Sequence, residues 1–488
     1  MVYPRDSCVY RDFAEKSGVG RLSRWVSTHR GCCADWSAAA RSLGGCLLLT
    51  ARFSVADRHV FDSIDLGEIV RNSDRPIVKL FLTGGLVFYF TYHLTGFHLF
   101  QIWPPVPSHD AAIQFERARE IFAHGSYASP PQTSVYNAWP YPPSAVLLFR
   151  GLEILGPGPF MVVWIALMIG GLLVTFRASV AGEEGDLRAA WLLLGAASLV
   201  FVDSSVSWDL RKANGNLVYL GLCLAGYGSL RQHRWFAGAM VGLSMCLKLY
   251  SALLLLWLMV RGPRRALYSA TITILLLWLL LPLAIFRVDG VIRMYHGWYE
   301  QLKIVNDPAI YTVLAARGHG PPLVTLRRAA MTLTGTGATE AATRTVLLLL
   351  WASWLIALLW YMRRTFAGER AEAPSRSALA DWTILMLAPL PFSPWLEPYH
   401  AVPVVPAAIL CLETAFDGRV ETQLRSIPLV ALSALLAMRL IFLPFGIRAL
   451  GLLAQFIVLV IALGLLRPHF DRRLETIACP TSPRGLSE

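Results

Sequence analysis

Charged residues are scarce in this chain: they make up 16% of its 488 residues, whereas hydrophobic residues make up 55%. Ordinary soluble domains carry about 25% charged residues, so this chain has too few to cover a surface in contact with water. Its eight cysteines form no Cys-x-x-Cys pair and have no histidine cluster beside them, which excludes a disulfide framework and a zinc site. The composition indicates an integral membrane protein.

Long apolar segments stand where a soluble protein would alternate apolar and polar residues. Four of them contain no acid and no lysine, and they comprise residues 80–100, 266–286, 346–361 and 450–466. Each has about the length that crosses roughly 30 Å of hydrocarbon as an α-helix. We predict an all-α polytopic membrane protein, a bundle of roughly ten to twelve transmembrane helices with two external loops that carry interfacial helices.

The basic residues, which give the chain a net charge of +12, lie in short clusters between the apolar segments. Positive-inside loops have this pattern, so we assign the clusters to the cytoplasm and expect no nucleic acid as a partner. The clusters that set the topology begin at Arg75, Arg261, Arg363 and Arg467. With these ends inside, residues of about 104–139 and 287–344 become two external loops on a common face.

This topology divides the chain into three regions. Residues 1–76 are mixed polar, and we predict a poorly ordered cytoplasmic extension there, with a small accessory fold as the alternative. Residues 77–466 form the transmembrane domain, and residues 467–488 form a cytoplasmic tail.

Two segments of the transmembrane domain leave the path of the chain open. Residues 142–155 are predicted to form a short interfacial or re-entrant helix, because an odd number of crossings must separate the first external loop from Arg231. Residues 234–261 form either one long helix or a hairpin that turns near Lys248.

Asp110 follows the first apolar segment and stands directly before a predicted helix over residues 111–122. It is therefore expected just outside the external edge of the bilayer. The simplest explanation of Asp110 is that an acid favours a helix N-terminus through the helix dipole. A catalytic carboxylate is the alternative, and it depends on the motifs that follow.

Several short motifs follow Asp110 in order. They are Phe115 with Gly125 and Tyr127; Trp139-Pro140-Tyr141-Pro142-Pro143; Ala213-Asn214-Gly215-Asn216; Gly238-Ala239-Met240-Val241-Gly242 with Leu247-Lys248; and Ser393-Pro394-Trp395 with Tyr399-His400. Each is common alone, and Gly-x-x-x-Gly is commonest as plain helix packing. In this order, over residues 80–466, they resemble glycosyltransferase family 87, the polyprenol-phosphate-sugar-dependent mannosyl- and arabinosyltransferases of the GT-C membrane fold.

The chain departs from the family pattern at three places. Gln114 replaces the usual Tyr of the helix after Asp110, and the Gly-Gln of a Gly-Gln-x-Asn motif is lost, which leaves Asn216. In the second external loop, Gly318-His319-Gly320-Pro321-Pro322 stands where the family has Asn-Gln-Ser. The exact substrate therefore stays open.

The resemblance implies a GT-C-like bundle that moves a mannose-like sugar or a pentose from polyprenyl phosphate to a glycan or glycolipid acceptor. The reaction is expected on the external or periplasmic face of a multi-pass protein of the inner (plasma) membrane, with inversion and with Asp110 as the general base. The lipid-linked sugar is a substrate, so no cofactor is implied. No metal is implied either, because the only clustered acids, Glu183, Glu184 and Asp186, fall in a loop assigned to the cytoplasm.

Arg211, Lys212 and Lys248 are candidates to bind the donor phosphate, since a guanidinium grips phosphate bidentately and an ammonium meets it as a point charge. As alternatives, Arg211 and Lys212 are snorkelling anchors at the membrane interface, and Lys248 is a helix-end charge. Tyr141 and Asn216 are substrate-binding candidates by the resemblance.

His400 begins a helix at the outer edge, where it either hydrogen-bonds sugar hydroxyls or phosphate, or is a solvated neighbour of the helix start. Tyr295, Trp298 and Tyr299 could stack on sugar rings, but an aromatic belt at the interface is the better interpretation.

Two other classes of protein stay open. A transporter or flippase of lipid-linked sugars would bind the same head group, but such proteins carry ionisable or broken-helix sites near the midplane, where this chain has little beyond Lys248. An O-antigen polymerase or ligase type of membrane enzyme typically uses paired arginines in an outer loop, which Arg327 and Arg328 would supply.

Overall fold

The computed structural model of the protein describes residues 76–95, 110–127, 141–180, 190–306, 340–366, 375–390, 398–417, 420–442 and 448–478. These residues lie within one unit, Asp65–Glu488. Except for its last residue, the predicted N-terminal extension lies outside the described residues, as do Arg327 and Arg328 and the acids of residues 183–186.

The described residues form helices and turns, with no strand among them, as predicted. The α-helices are α1 (Pro76–Thr95), α2 (Asp110–His124), α3 (Pro143–Glu153), α4 (Pro157–Val180), α5 (Ala190–Lys212), α6 (Asn216–Gly228), α7 (Arg234–Leu247), α8 (Ala252–Val260), α9 (Arg264–Leu275), α10 (Leu281–Asn306), α11 (Glu340–Phe366), α12 (Arg376–Leu387), α13 (Val404–Phe416), α14 (Thr422–Phe442) and α15 (Arg448–Ala478). Short helical turns are the 3₁₀ segments Leu249–Ser251 and Pro398–Ala401 and the π segment Leu276–Leu280, which joins α9 to α10.

Local sequence explains where several helices begin. Pro142 and Pro143 stand at the start of α3, where a missing backbone N–H costs no hydrogen bond. Ser375 caps α12, because its Oγ accepts a hydrogen bond from the Ala378 N–H at 3.2 Å. Asp110 opens α2, and the helix predicted after it is confirmed.

Within the described residues, four helical segments are long and apolar enough to cross a membrane. They are Pro157–Val180, Ala190–Lys212, Arg264–Lys303 and Gly451–Phe470. In the segment Arg264–Lys303 only 17% of the most apolar stretch is buried within the protein, so its apolar side chains face outward, as hydrocarbon requires. The protein is therefore an all-helical membrane protein, and the number of ten to twelve spans stays a prediction.

Small residues allow several helices to pack at close range. A Cβ atom added at Gly238 of α7 would lie 1.9 Å from the carbonyl oxygen of Ala266 in α9, and one added at Gly242 would lie 2.7 Å from Thr273. Gly221 of α6 approaches Gly171 of α4 in the same way. The Gly-x-x-x-Gly pair thus serves helix packing.

One end of the bundle is held by a buried ionic cluster. Asp381 of α12 is fully buried, and its carboxylate accepts hydrogen bonds from Arg261 at 3.2 Å and Arg467 at 2.8 Å, and from the hydroxyl of Tyr361. Three segments therefore meet at one end of the bundle, at Arg261, at Arg467 and at Tyr361, which stands two positions before Arg363. The topology assigned the basic clusters at these positions to one side of the membrane, and this contact agrees with that grouping.

The structure also shows where the helices of the two open segments begin and end. The predicted short helix at 142–155 is confirmed as α3, whose 11 residues are too few to cross a bilayer. The segment 234–261 is broken at Lys248, whose extended backbone (φ −143°, ψ 125°) ends α7. A second break occurs at Arg287 (φ 56°, ψ 177°), where the second external loop was predicted to begin.

Candidate active site

Asp110 is partly exposed at the first position of α2, and its carboxylate contacts the turn between α5 and α6. The Asn214 side chain donates a hydrogen bond from Nδ2 to Asp110 Oδ2 at 2.6 Å. This contact joins residues 104 positions apart. Asp110 therefore does more than begin a helix, because a partner in another part of the chain holds its carboxylate.

The α5–α6 turn that carries Asn214 has two residues with left-handed backbone, Ala213 (φ 49°) and Gly215 (φ 85°). Trp164 of α4 holds this turn, since its indole Nε1 donates to the Ala213 carbonyl oxygen at 3.0 Å. A Cβ atom at Gly215 would lie 2.4 Å from the Trp164 ring, so the turn requires glycine there.

Asp209, in the last turn of α5, is fully buried and is committed to hydrogen bonds. Its Oδ2 accepts from the Leu217 N–H at 2.8 Å, and its Oδ1 accepts from the Asn216 side chain at 2.8 Å and from the Asn216 N–H at 3.3 Å. It thereby satisfies the first backbone N–H groups of α6, where no N-cap side chain does so.

Four side chains form a hydrogen-bonded chain with one defined direction. Asn216 Nδ2 donates both to Asp209 and to Asn214 Oδ1 at 2.7 Å, which leaves Asn214 Nδ2 to donate to Asp110. A carboxylate only accepts, so the charge of Asp209 sets the orientation of both amides. Through this orientation, the buried Asp209 makes the Asn214 amide present its N–H group, and not its carbonyl oxygen, to the Asp110 carboxylate.

Tyr141 lies next to Asp110 in the same site. Its hydroxyl accepts a hydrogen bond from Gln114 Nε2 at 2.8 Å, and its carbonyl oxygen accepts one from the Tyr127 hydroxyl at 2.9 Å. Burial, followed by the charges of Asp110 and Asp209, raises the pKa of the Tyr141 phenol well above its usual value. The phenol therefore stays protonated and keeps a proton to donate.

Lys248 brings a positive charge to this group at the break that ends α7. Its Nζ lies 5.1 Å from the centre of the Tyr141 ring, a cation–π contact. The ammonium also interacts electrostatically with Asp209 and Asp110. The break in the helix at Lys248, which the sequence left open, thus places the Lys248 side chain near Asp209 and Asp110.

His400 approaches the same lysine from the 3₁₀ segment before α13. Its side chain is buried, and burial together with the charge of Lys248 holds the pKa of the imidazole well below its usual value. The ring is therefore neutral near pH 7 and has one donor and one acceptor nitrogen.

The Arg211 side chain contacts α1. Its guanidinium lies 3.4 Å from His93 of α1, and His93 lies 3.4 Å from Asp203. Two helical positions correspond to about 200° of rotation, so Arg211 and Asp209 lie on nearly opposite faces of α5. Lys212 ends the same helix, partly exposed.

Five of the predicted residues therefore come together in the structure, namely Asp110, Tyr141, Asn216, Lys248 and His400. Arg211 instead contacts His93, which lies outside this group. Their roles remain predictions.

The sequence motifs did not indicate a role for Asp209 or Asn214. A carboxylate inside an apolar helix is a signal that could have found Asp209. Asn214 occupies the position where the family pattern has Gln, so a side-chain amide is retained there.

Two of the aromatic candidates, Tyr295 and Trp298, pack on each other and on Trp278, whereas Tyr299 is 56% exposed and lies under the Lys303 ammonium. Trp278, Tyr295 and Trp298 have ring centres 5.8–6.5 Å apart. Within the described residues, no group of three or more His, Cys, Asp or Glu side chains could hold a metal ion.

A bundle of membrane helices with a carboxylate, amides and a lysine gathered at one site has the groups that a membrane-embedded transferase requires. The family model of glycosyltransferase family 87 matches residues 139–394, more than half of the chain. The chain belongs to glycosyltransferase family 87 and is a membrane glycosyltransferase, as the motifs predicted. Comparisons with curated proteins and with solved structures gave no match. Asp110 and His400 lie outside the matched residues.

Proposed function

We propose that the protein transfers a mannose-like sugar or a pentose from a polyprenyl-phosphate donor to a glycan or glycolipid acceptor, with Asp110 as the general base. The observation that carries this proposal is the hydrogen bond that holds the partly exposed Asp110 carboxylate beside the site of Lys248. Asp209 is the other acid of the site, but it is fully buried and its oxygens are occupied. Asp110 is therefore the acid that an acceptor hydroxyl could reach.

The proposed reaction is one displacement at the anomeric carbon of the donor sugar. The acceptor oxygen attacks this carbon while Asp110 takes the hydroxyl proton, and the bond from carbon to phosphate oxygen breaks on the opposite face. Its electron pair leaves with the polyprenyl phosphate, and the anomeric carbon is inverted. Lys248 would stabilise the negative charge of the departing phosphate. Arg211, which contacts His93 of α1, and Lys212 remain predicted donor-binding residues.

The proposal places the reaction on the external face of the inner membrane. The 3₁₀ segment Leu249–Ser251 and α8 separate Lys248 from Arg261 by roughly 19 Å of helical rise. Arg261 belongs to a basic cluster of the type that stays inside, so this separation would carry Lys248 past the middle of the roughly 30 Å hydrocarbon layer, toward the external side. A prenyl tail costs about 0.8 kcal/mol for each CH₂ removed from lipid, so the donor phosphate must be met at the membrane edge.

A panel of labelled polyprenyl-phosphate sugars tests the proposed function. Membranes that contain the protein are incubated with each donor and with glycan or glycolipid acceptors, and we expect label from one donor to move to an acceptor. The proposal is rejected if no label is transferred to any acceptor while the donor lipid changes leaflet, because the protein would then be a transporter.

We expect the substitution Lys248→Met to lower kcat/KM for the lipid donor by about 10- to 10³-fold, because an apolar side chain of similar length cannot stabilise the leaving phosphate. Initial rates at varied donor concentration measure this effect. Lys303→Met is the matched control, since Lys303 pairs with the exposed Glu300 at 2.8 Å. A Lys248→Met enzyme with the rate of the control would remove Lys248 from the mechanism.

A further inference from the structure

A basic cleft of about 530 Å³ lies away from the Asp110 site, between the turn that precedes α7 and the start of α9. Its cationic lining consists of Arg231, Arg234 and Arg265, and no acid is among the described residues that line it. We propose that this cleft binds the phosphate head group of an anionic membrane phospholipid. The proposal does not depend on the role of Asp110.

Close packing fixes the two sides of the cleft relative to each other. Ser269 of α9 donates a hydrogen bond to the Trp235 carbonyl oxygen in α7 at 2.6 Å, and Gly238 brings the two backbones into contact. Arg231 and Arg265 therefore extend from rigid neighbouring segments. Two guanidinium groups held in this way can grip one phosphate bidentately without first ordering a loop.

The cleft lies at the level where a membrane-spanning segment begins. Arg265 is the second residue of the segment Arg264–Lys303, whose composition is apolar enough to cross the bilayer. On the opposite side of the cleft, Trp235 and Phe236 are 53% and 48% exposed. Exposed aromatic rings beside arginines are typical of the head-group layer, which places the guanidinium groups at the height of lipid phosphates.

An apolar stripe leads from the cleft toward the membrane interior and favours a lipid over free phosphate. Tyr268, Ile272 and Leu276 follow Arg265 at helical spacings of three, seven and eleven residues, so they lie on its face of the helix. Their side chains are 48–55% exposed. An acyl chain attached to a phosphate in the cleft could pack along this stripe.

The test measures lipid binding to the purified full chain in neutral detergent. Phosphatidylglycerol is added, with phosphatidylcholine and inorganic phosphate as the comparison arms, and bound lipid is counted by native mass spectrometry. We expect phosphatidylglycerol to bind and Arg231→Gln/Arg265→Gln to weaken its binding about ten-fold or more, from the loss of two charges at a lipid surface. The control pair Arg363→Gln/Arg364→Gln removes two exposed arginines at the end of α11 and should bind as the unmodified protein does.

A second variant keeps the test decisive if the double substitution prevents folding. Gln232→Glu adds an acid of the same shape to the cleft, and we expect it to weaken phosphatidylglycerol binding while the protein stays folded. Equal binding by all the variants would overturn the proposal. It would also be overturned if inorganic phosphate competed as well as the lipid, because the cleft would then be a simple anion site.

Discussion

Asp110→Asn is expected to lower the rate of sugar transfer by about 10² to 10⁴ while donor binding stays nearly unchanged. The asparagine oxygen can still accept the hydrogen bond that Asn214 donates to Asp110, so the geometry of the turn is preserved. What is lost is the basic lone pair that takes the acceptor proton. A transfer assay on purified protein, together with a donor-binding measurement, separates these two quantities.

A role limited to the start of α2 predicts a different result. Asparagine is about as good as aspartate at a helix N-terminus, so activity would stay within a few-fold of the unmodified enzyme. Asp110→Glu serves as a second check, because it keeps the charge and moves the carboxylate out of reach, and it should also lose most of the activity. Substantial transfer by the Asn variant would exclude Asp110 as the base.

Asp209→Asn is expected to lower kcat by about 10- to 10²-fold even though Asp209 does not face the acceptor. An amide at position 209 presents an N–H group to the Leu217 N–H or to Asn216, both of which donate to Asp209. Relief of this clash turns the Asn216 amide and then Asn214, which would direct a carbonyl oxygen at the Asp110 carboxylate. Asp209 is therefore a positioning residue, and the KM for the donor should change little.

Asp203→Asn is the matched control for this prediction. Asp203 lies on the same helix, but it contacts Tyr89 at 2.8 Å and His93 at 3.4 Å and takes no part in the chain of amides. It should keep kcat within a few-fold. Donor binding by the purified, folded variants gives a readout beyond folding, because Asp209→Asn should bind the donor as the unmodified enzyme does while its kcat falls. Equal loss of rate in both variants would contradict the positioning role.

The sequence predicted the features of this protein that depend on local pattern. Long apolar segments identify the bilayer as the solvent, since helices that face lipid need only enough consecutive apolar residues. The helix after Asp110 was predicted from the residues at its start, and the short helix after Pro142 from the number of crossings that the basic clusters allow. The order of the motifs indicated the family, and the family match confirms it.

The motifs did not indicate which residues hold the Asp110 carboxylate in position. Of the two asparagines in this motif only Asn216 matches the family pattern, yet Asn214 makes the contact with Asp110. Arg211 and Asp209 are neighbours in sequence, and a helix turns them to nearly opposite faces, which a motif written in one line does not show. The break at Lys248 depends on packing as well, since a single helix and a broken one both suit residues 234–261.

By itself, then, the sequence determined that the protein is a helical membrane glycosyltransferase, and it named the carboxylate and the lysine on which the proposed mechanism depends. Hydropathy and helix-start preferences act over a few residues, so they can be recognised in any stretch of the chain. Only the tertiary structure decided that a buried Asp209 orients two amides toward Asp110, because the hydrogen bond from Asn214 to Asp110 joins residues 104 positions apart. Only packing likewise brought Arg231 and Arg265 to one cleft, since the close contact of two helices places them there.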